Sequence, residues 1–173
     1  MDKGYVIYLF GRSGSGKTTI ADHLEEKIRG RVKGKVQVID GDEIRAQFGN
    51  IFGYTFEERM KCNQAVRTVL HYLVRNDIHV ILTQVGAYQQ MRDNLRKQFD
   101  PRYIEIYIKC DIETCIQRDV KGYYARNEAN INGLTDTFEE PVNSDMVINT
   151  DEITREEATD RILGFLLNEK YGL

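Results

Sequence analysis

The stretch Tyr5-Val6-Ile7-Tyr8-Leu9-Phe10-Gly11-Arg12-Ser13-Gly14-Ser15-Gly16-Lys17-Thr18-Thr19-Ile20 decides how the rest of the chain is read. An apolar run, Tyr5 to Phe10, has the length of a buried strand. Gly11 to Thr18 then matches G-x-x-x-x-G-K-[ST], and a helical pattern follows from Thr19 to Ile28. Strand, glycine-rich loop and helix in this register make a phosphate-binding loop. The glycines let the backbone curl so that successive N–H groups point at phosphate oxygens, and the helix N-terminus adds a favourable field. Lys17 supplies an ammonium for the outer phosphates, and the Thr18 hydroxyl suits Mg²⁺. A glycine-rich turn that binds nothing has no need of this register. The loop implies a nucleoside triphosphate.

Outward from that loop, short apolar runs alternate with helical patterns. Val36 to Ile39, His79 to Thr83, Tyr103 to Lys109 and Met146 to Asn149 join Tyr5 to Phe10 as predicted strands. Several are apolar on both faces, as in a parallel sheet covered by helices. Thr55-Phe56-Glu57-Glu58 and Thr154-Arg155-Glu156-Glu157 fit capping boxes at helix starts. Val66, Val69, Leu70 and Leu73 form one predicted buried stripe, and Ile162, Leu163, Leu166 and Leu167 another. From Val120 to Asn143 periodicity fades, which predicts a long mobile lid segment at about 120–143. The pattern is an α/β class chain: a three-layer P-loop NTPase-like fold with a mostly parallel central sheet flanked by helices. With 173 residues, one domain over 1–173 is expected.

Composition narrows the partners. Lys+Arg 24 against Asp+Glu 27 leaves a net charge of -3, which argues against a nucleic acid polymer as ligand. No apolar run approaches the ~20 residues of a membrane span, and the N-terminus lacks signal-peptide character. Cys62, Cys110 and Cys115 show neither Cys-x-x-Cys nor an even count, and the three histidines are scattered. A cytoplasmic protein without a membrane partner is expected.

Binding alone does not distinguish a switch from a transferase. Asp40-Gly41-Asp42 ends the second predicted strand, at the sheet edge where α/β folds hold ligands. The same residues are also good turn and cap formers. Thr83-Gln84, ending the third, lacks the acidic residue typical of nucleotide hydrolases. Both features favour phosphoryl transfer to a second substrate.

Gly11 to Thr19, Ile39-Asp40-Gly41-Asp42-Glu43-Ile44-Arg45, Gly53-Tyr54-Thr55 with Arg59, and Arg118-Asp119-Val120-Lys121-Gly122-Tyr123-Tyr124 together resemble the adenylylsulfate kinase family. The resemblance spans about Tyr5 to Pro141. It implies ATP with Mg²⁺ as donor, the ribose 3′-hydroxyl of a small nucleotide as acceptor, and a possible homodimer. Gly11, Ser13, Gly14, Ser15, Gly16, Lys17, Thr18, Thr19 and Arg118 then become candidate ATP-binding residues, with Thr18 on the metal. Asp42 would orient or deprotonate the attacking hydroxyl, alongside Lys17 as catalytic residue. Asp40, Asp42, Arg45, Tyr54, Arg59, Cys62, Gly86, Tyr88, Lys121 and Leu134 fall at acceptor-side positions. Tyr54 would stack on the acceptor base; Arg45 and Arg59 would hold its anionic groups.

The departures from the family pattern lie on that acceptor side. Gly86-Ala87-Tyr88 stands for Ser-Pro-Tyr, Cys62 for an asparagine (with Asn63 next to it), and Leu134-Thr135-Asp136 for Phe-Thr-Gly. Arg12 replaces an apolar residue and either reaches a phosphate or faces solvent. Loss of one ring at Leu134 weakens adenine stacking. These edits favour a smaller-base acceptor, cytidine diphosphoramidate of capsular phosphoramidate biosynthesis, over adenylyl sulfate in sulfate activation. From other classes stand a non-catalytic nucleotide-binding module and a hydrolytic switch, and a nucleoside monophosphate kinase is the nearest enzymatic rival. The intact Lys17, Thr18 and Asp42 argue against the first.

Overall fold

The computed structural model describes residues 4–119, 122, 124–125 and 137–168. In chain order the elements are β1 (Val6–Phe10), α1 (Lys17–Ile28), β2 (Lys35–Asp40), α2 (Gly41–Gln47), α3 (Phe56–Val74), β3 (Ile78–Gln84), α4 (Gln89–Phe99), β4 (Tyr103–Lys109), α5 (Ile112–Arg118), β5 (Met146–Asn149) and α6 (Arg155–Leu166). All four strand pairings are parallel, and the order across the sheet is β2-β3-β1-β4-β5. All five predicted strands are present, to within a residue or two at their ends.

The alternation of β1 sorts its side chains into two layers. Ile7 and Leu9 face Ile20, Ala21, Leu24 and Ile28 of α1 and Ile162, Leu163 and Leu166 of α6. Val6, Tyr8 and Phe10 face Val66, Leu70 and Val74 of α3 and Leu95 and Phe99 of α4. The first layer is aliphatic. The second is built on stacked rings, with Tyr8–Phe10 at 5.4 Å and Phe10–Tyr107 at 5.2 Å between centroids. Every residue of β1 is buried, so the strand that delivers the phosphate loop is clamped between both layers.

The helix starts follow the sequence signals. Thr55 and Thr154 each accept from the N–H three residues on, while Glu58 and Glu157 reach back to the cap. The Thr55 hydroxyl and N–H together hold the Glu58 carboxyl below its ordinary value. The two predicted stripes differ in outcome. Val66 and Leu70 are buried with Val69 and Leu73 packed at their margin. Ile162, Leu163 and Leu166 are buried, but α6 ends at Leu166 and Leu167 is its exposed C-cap. A residue beyond the last turn no longer follows the helical period.

Thr154→Ala should lower the unfolding free energy by about 1 kcal/mol, the usual worth of such a cap. Urea denaturation at neutral pH measures it.

Candidate functional site

The loop between β1 and α1 sits at the carboxyl edge of the sheet, where β1 lies between β3 and β4. Gly14 has φ +82, and a Cβ there would come within 2.8 Å of the Cys115 carbonyl oxygen, so only glycine fits. Gly16 caps α1 with a left-handed backbone and no side-chain hydrogen bond. The N-terminus of α1, with its favourable field for an anion, opens onto the site. The loop's own carbonyls are held from behind: Tyr124 Oη donates to Ser13 O at 3.0 Å and Thr150 Oγ1 to Ser15 O at 3.1 Å. Lys17 Nζ donates to Arg12 O at 2.7 Å and lies 3.5 Å from Ser15 Oγ. Thr18 and Thr19 are exposed at the mouth.

Asp40 joins this loop to the other half of the site. Its Oδ2 accepts from Thr18 Oγ1 at 3.2 Å and Thr83 Oγ1 at 2.9 Å, and its Oδ1 accepts from the Asp42 N–H at 2.8 Å. Asp40 and Thr83 are register partners on β2 and β3. The carboxylate missing from the end of β3 is thus supplied by the neighbouring strand. Asp40 thus caps α2 and stands beside the Thr18 hydroxyl. A hydroxyl and a carboxylate oxygen so close are hard donors that fit Mg²⁺. Among the described residues no group of three His, Cys, Asp or Glu side chains could enclose a metal. Asp42 stands exposed in the first turn of α2.

Beyond α2 the chain builds an aromatic platform. Arg45 Nη1 donates to the Phe52 and Gly53 carbonyls, each at 3.0 Å, and Arg59 Nε to Tyr54 O at 2.8 Å. The two guanidinium carbons lie 4.9 and 5.2 Å from the Tyr54 ring centroid. Tyr54 remains 50% exposed while Arg59 is buried. Tyr88 caps α4 and meets Phe56 edge-on at 5.0 Å.

The remaining sequence-selected residues fall into different places. Arg118 donates to Thr150 Oγ1 and O and to Cys110 Sγ, fixing the end of α5 against the segment after β5. Cys62 is buried on α3, where burial pushes its thiol up while Arg45 and Arg59 oppose and Asp42 adds to the effect. Asn63 donates to Met91 O on α4, so it does not substitute for an asparagine at Cys62. Lys121 and Leu134 lie outside the described residues, as does most of the expected lid. Thr83, Thr150 and Tyr124 were not singled out as site residues by sequence reasoning; Thr83 carried a signal as a hydroxyl at a strand's carboxyl end, and Tyr124 as the last residue of the Arg118–Tyr124 motif. Arg12 does not simply face solvent: it pairs with Glu140 at 3.1 Å.

The family described as adenylylsulphate kinase matches residues 3–149. A probable adenylyl-sulfate kinase of Pseudomonas aeruginosa is 36% identical over 164 residues, covering 92% of this chain and 76% of its own. The adenylyl-sulfate kinase of Halothermothrix orenii is 33% identical over 174 residues, covering 98% and 92%. In fold, the Mycobacterium tuberculosis APS kinase solved with AMPPNP and APS has a TM-score of 0.88 at 22% identity, covering 97% of this chain and all of that one.

These relatives overturn cytidine diphosphoramidate as the favoured acceptor, and with it the assignment to capsule biosynthesis. The geometry explains why the edits misled. Gly86 has φ +61, and a Cβ there would lie 2.3 Å from Tyr8 Oη. Its small size answers to a ring in the core, not to a rearranged phosphate. Cys62 is likewise packed among core residues.

Two substitutions test the site's construction. Gly86→Ala should cost about 1–2 kcal/mol from backbone strain alone, with more from the Tyr8 contact; adding Tyr8→Phe should return the contact part in a denaturation series. Asp40→Asn should weaken Mg-ATP binding by about 10–100-fold, as loss of an outer-shell partner does, while Mg²⁺-free ATP binding changes little. Calorimetric titration with and without Mg²⁺ reads both.

Proposed function

The chain belongs to the adenylylsulfate kinase family of P-loop phosphotransferases, and from that premise we propose that it transfers the γ-phosphoryl group of ATP to the ribose 3′-hydroxyl of adenylyl sulfate. The observation that carries this reading is the Asp40 carboxylate. One oxygen is shared by Thr18 and Thr83, and the other fixes the N–H of Asp42. The metal-ligand hydroxyl and the carboxylate intended for the acceptor are therefore held through one side chain.

The donor phosphates would lie along the N–H groups of the phosphate loop, with Lys17 moving from the Arg12 carbonyl to the outer phosphates. Mg²⁺, held by Thr18 with Asp40 beside it, would neutralise charge on those phosphates. Asp42 would accept a hydrogen bond from the 3′-hydroxyl and aim its oxygen along the line of transfer. Such a loose transition state demands position more than base strength. Tyr54, half exposed and backed by two guanidinium groups, offers a face for the acceptor's adenine. Arg45 and Arg59 are already committed to loop carbonyls. Their guanidinium groups would face the acceptor's anionic groups as a preformed surface.

An ADP-release assay with Mg-ATP tests the reading against four conditions: no acceptor, adenylyl sulfate, AMP and CMP. Fast release with adenylyl sulfate alone is expected, and Asp42→Asn should reduce its kcat by at least about 100-fold. Equal release without an acceptor would make the chain a hydrolase; no release at all would make it a binding module.

A further inference from the structure

Arg12, the second residue of the phosphate loop, serves two separate partners. Its carbonyl oxygen holds Lys17 Nζ at 2.7 Å. Its side chain leaves the loop altogether. Nη2 pairs with Glu140 Oε1 at 3.1 Å, and the guanidinium carbon lies 4.7 Å from the Phe138 ring centroid. Phe138 stacks on Tyr107 at 6.0 Å, and Tyr107 on Phe10, the last residue of β1. Burial pushes the Tyr107 hydroxyl up, with Glu140 adding to the effect and Arg12 opposing it.

The segment 137–141 is bound as closely to the loop that follows β3. The Glu139 N–H donates to Ala87 O at 2.8 Å, and the Gln89 N–H to Glu139 Oε2 at 2.6 Å. Arg92, which has no exposed surface, donates to Gly86 O at 2.5 Å, Gln89 Oε1 at 2.7 Å and Glu139 O at 2.8 Å. Its guanidinium also lies 4.9 Å from the Phe10 ring centroid. Separating any of these pieces would strand donors of a buried cation, a costly event. Gly86–Gln89 and 137–141 therefore move as one unit.

We propose that Arg12 is a positioning residue that couples occupancy of the phosphate loop to the Gly86–Gln89 loop, through Glu140 and the 137–141 segment. Phosphate oxygens compete with the Arg12 carbonyl for the Lys17 ammonium. When they win, the Arg12 peptide loses a charge-assisted hydrogen bond and keeps the longer one from the Ser15 N–H, at 3.2 Å, about which it can shift. Its side chain carries that shift to Glu140 and Phe138, and Arg92 carries it on to Gly86. The path is a contiguous chain of contacts with one changeable element at its start, as physical coupling requires. The proposal rests on the donor half of the function proposed above and is independent of which acceptor is used.

Amide hydrogen exchange with and without saturating Mg-AMPPNP tests it in the wild type, Glu140→Gln, Arg12→Lys, Arg12→Leu and the Arg12→Leu/Glu140→Gln double variant. In the wild type, nucleotide should slow exchange in peptides covering both 11–19 and 86–92. Glu140→Gln should keep the effect at 11–19 and reduce that at 86–92 by about three-fold, the scale of an ion pair at an exposed rim. Arg12→Leu should reduce it at least as far, Arg12→Lys less, and the double variant no further than Arg12→Leu alone. The proposal is overturned if nucleotide leaves 86–92 unchanged in the wild type, or slows it equally in all variants. It is also overturned if the variants alter 86–92 as much without nucleotide as with it, since Arg12 would then only brace the loop. Failure of adenylyl sulfate in the ADP-release assay would remove the acceptor assignment and leave these exchange results to stand on their own. Failure of AMPPNP to protect 11–19 in the wild type would overturn both.

Discussion

The Asp40 carboxylate is the constraint on which the site depends. Three donors from three segments converge on it: a hydroxyl of the phosphate loop, a hydroxyl of β3 and the N–H that starts α2. A hydrogen bond to a charged acceptor is stronger than a neutral one. Because Asp40 and Thr83 are register partners, sheet pairing itself sets where that carboxylate lies. The phosphate loop and the start of α2 are consequently aligned through a residue whose place is set by the pairing of β2 with β3. A slip of one residue between β2 and β3 would turn Asp40 to the other face and unmake the site.

Around that point the molecule divides its labour by side-chain chemistry. The aliphatic layer against α1 and α6 holds the phosphate loop's strand and helix at a fixed separation. The aromatic layer against α3 and α4 presents ring faces, and four buried or half-buried arginines (Arg12, Arg45, Arg59 and Arg92) lie over rings. Guanidinium groups tolerate such positions because they are weakly hydrated and can stack while still donating in plane. Among the described residues the site thus gains positive charge from guanidinium groups as well as from Lys17.

Much of this was legible in the sequence, and the rest was hidden for physical reasons. Strands and caps were readable because alternation, apolar runs and Ser/Thr-x-x-Glu patterns are local. The phosphate loop was readable because strand, glycines and helix are contiguous. Thr150 and Tyr124 were not, since each reaches the loop across more than a hundred residues of chain. Gly86 is the instructive case. Read as a gap in the ligand pocket, it suggested a different acceptor; in the fold, the gap is already filled by the Tyr8 hydroxyl. A glycine reports a close approach, but its sequence position does not say which atom approaches. Cys62 misled in the same way, because burial and ligand contact look alike in a single sequence.

Gly16 leaves the first turn of α1 without a side-chain cap, and that omission reaches beyond chemistry. A nucleotide bound there would complete the helix, and its phosphates would become part of the fold's own hydrogen bonding. By mass action, a ligand at one hundred times its dissociation constant adds about 2.7 kcal/mol to the folded state. The chain's lifetime against unfolding and proteolysis would then track the nucleotide supply around it. An energy-depleted cell would hold not just an idle enzyme but a shorter-lived one.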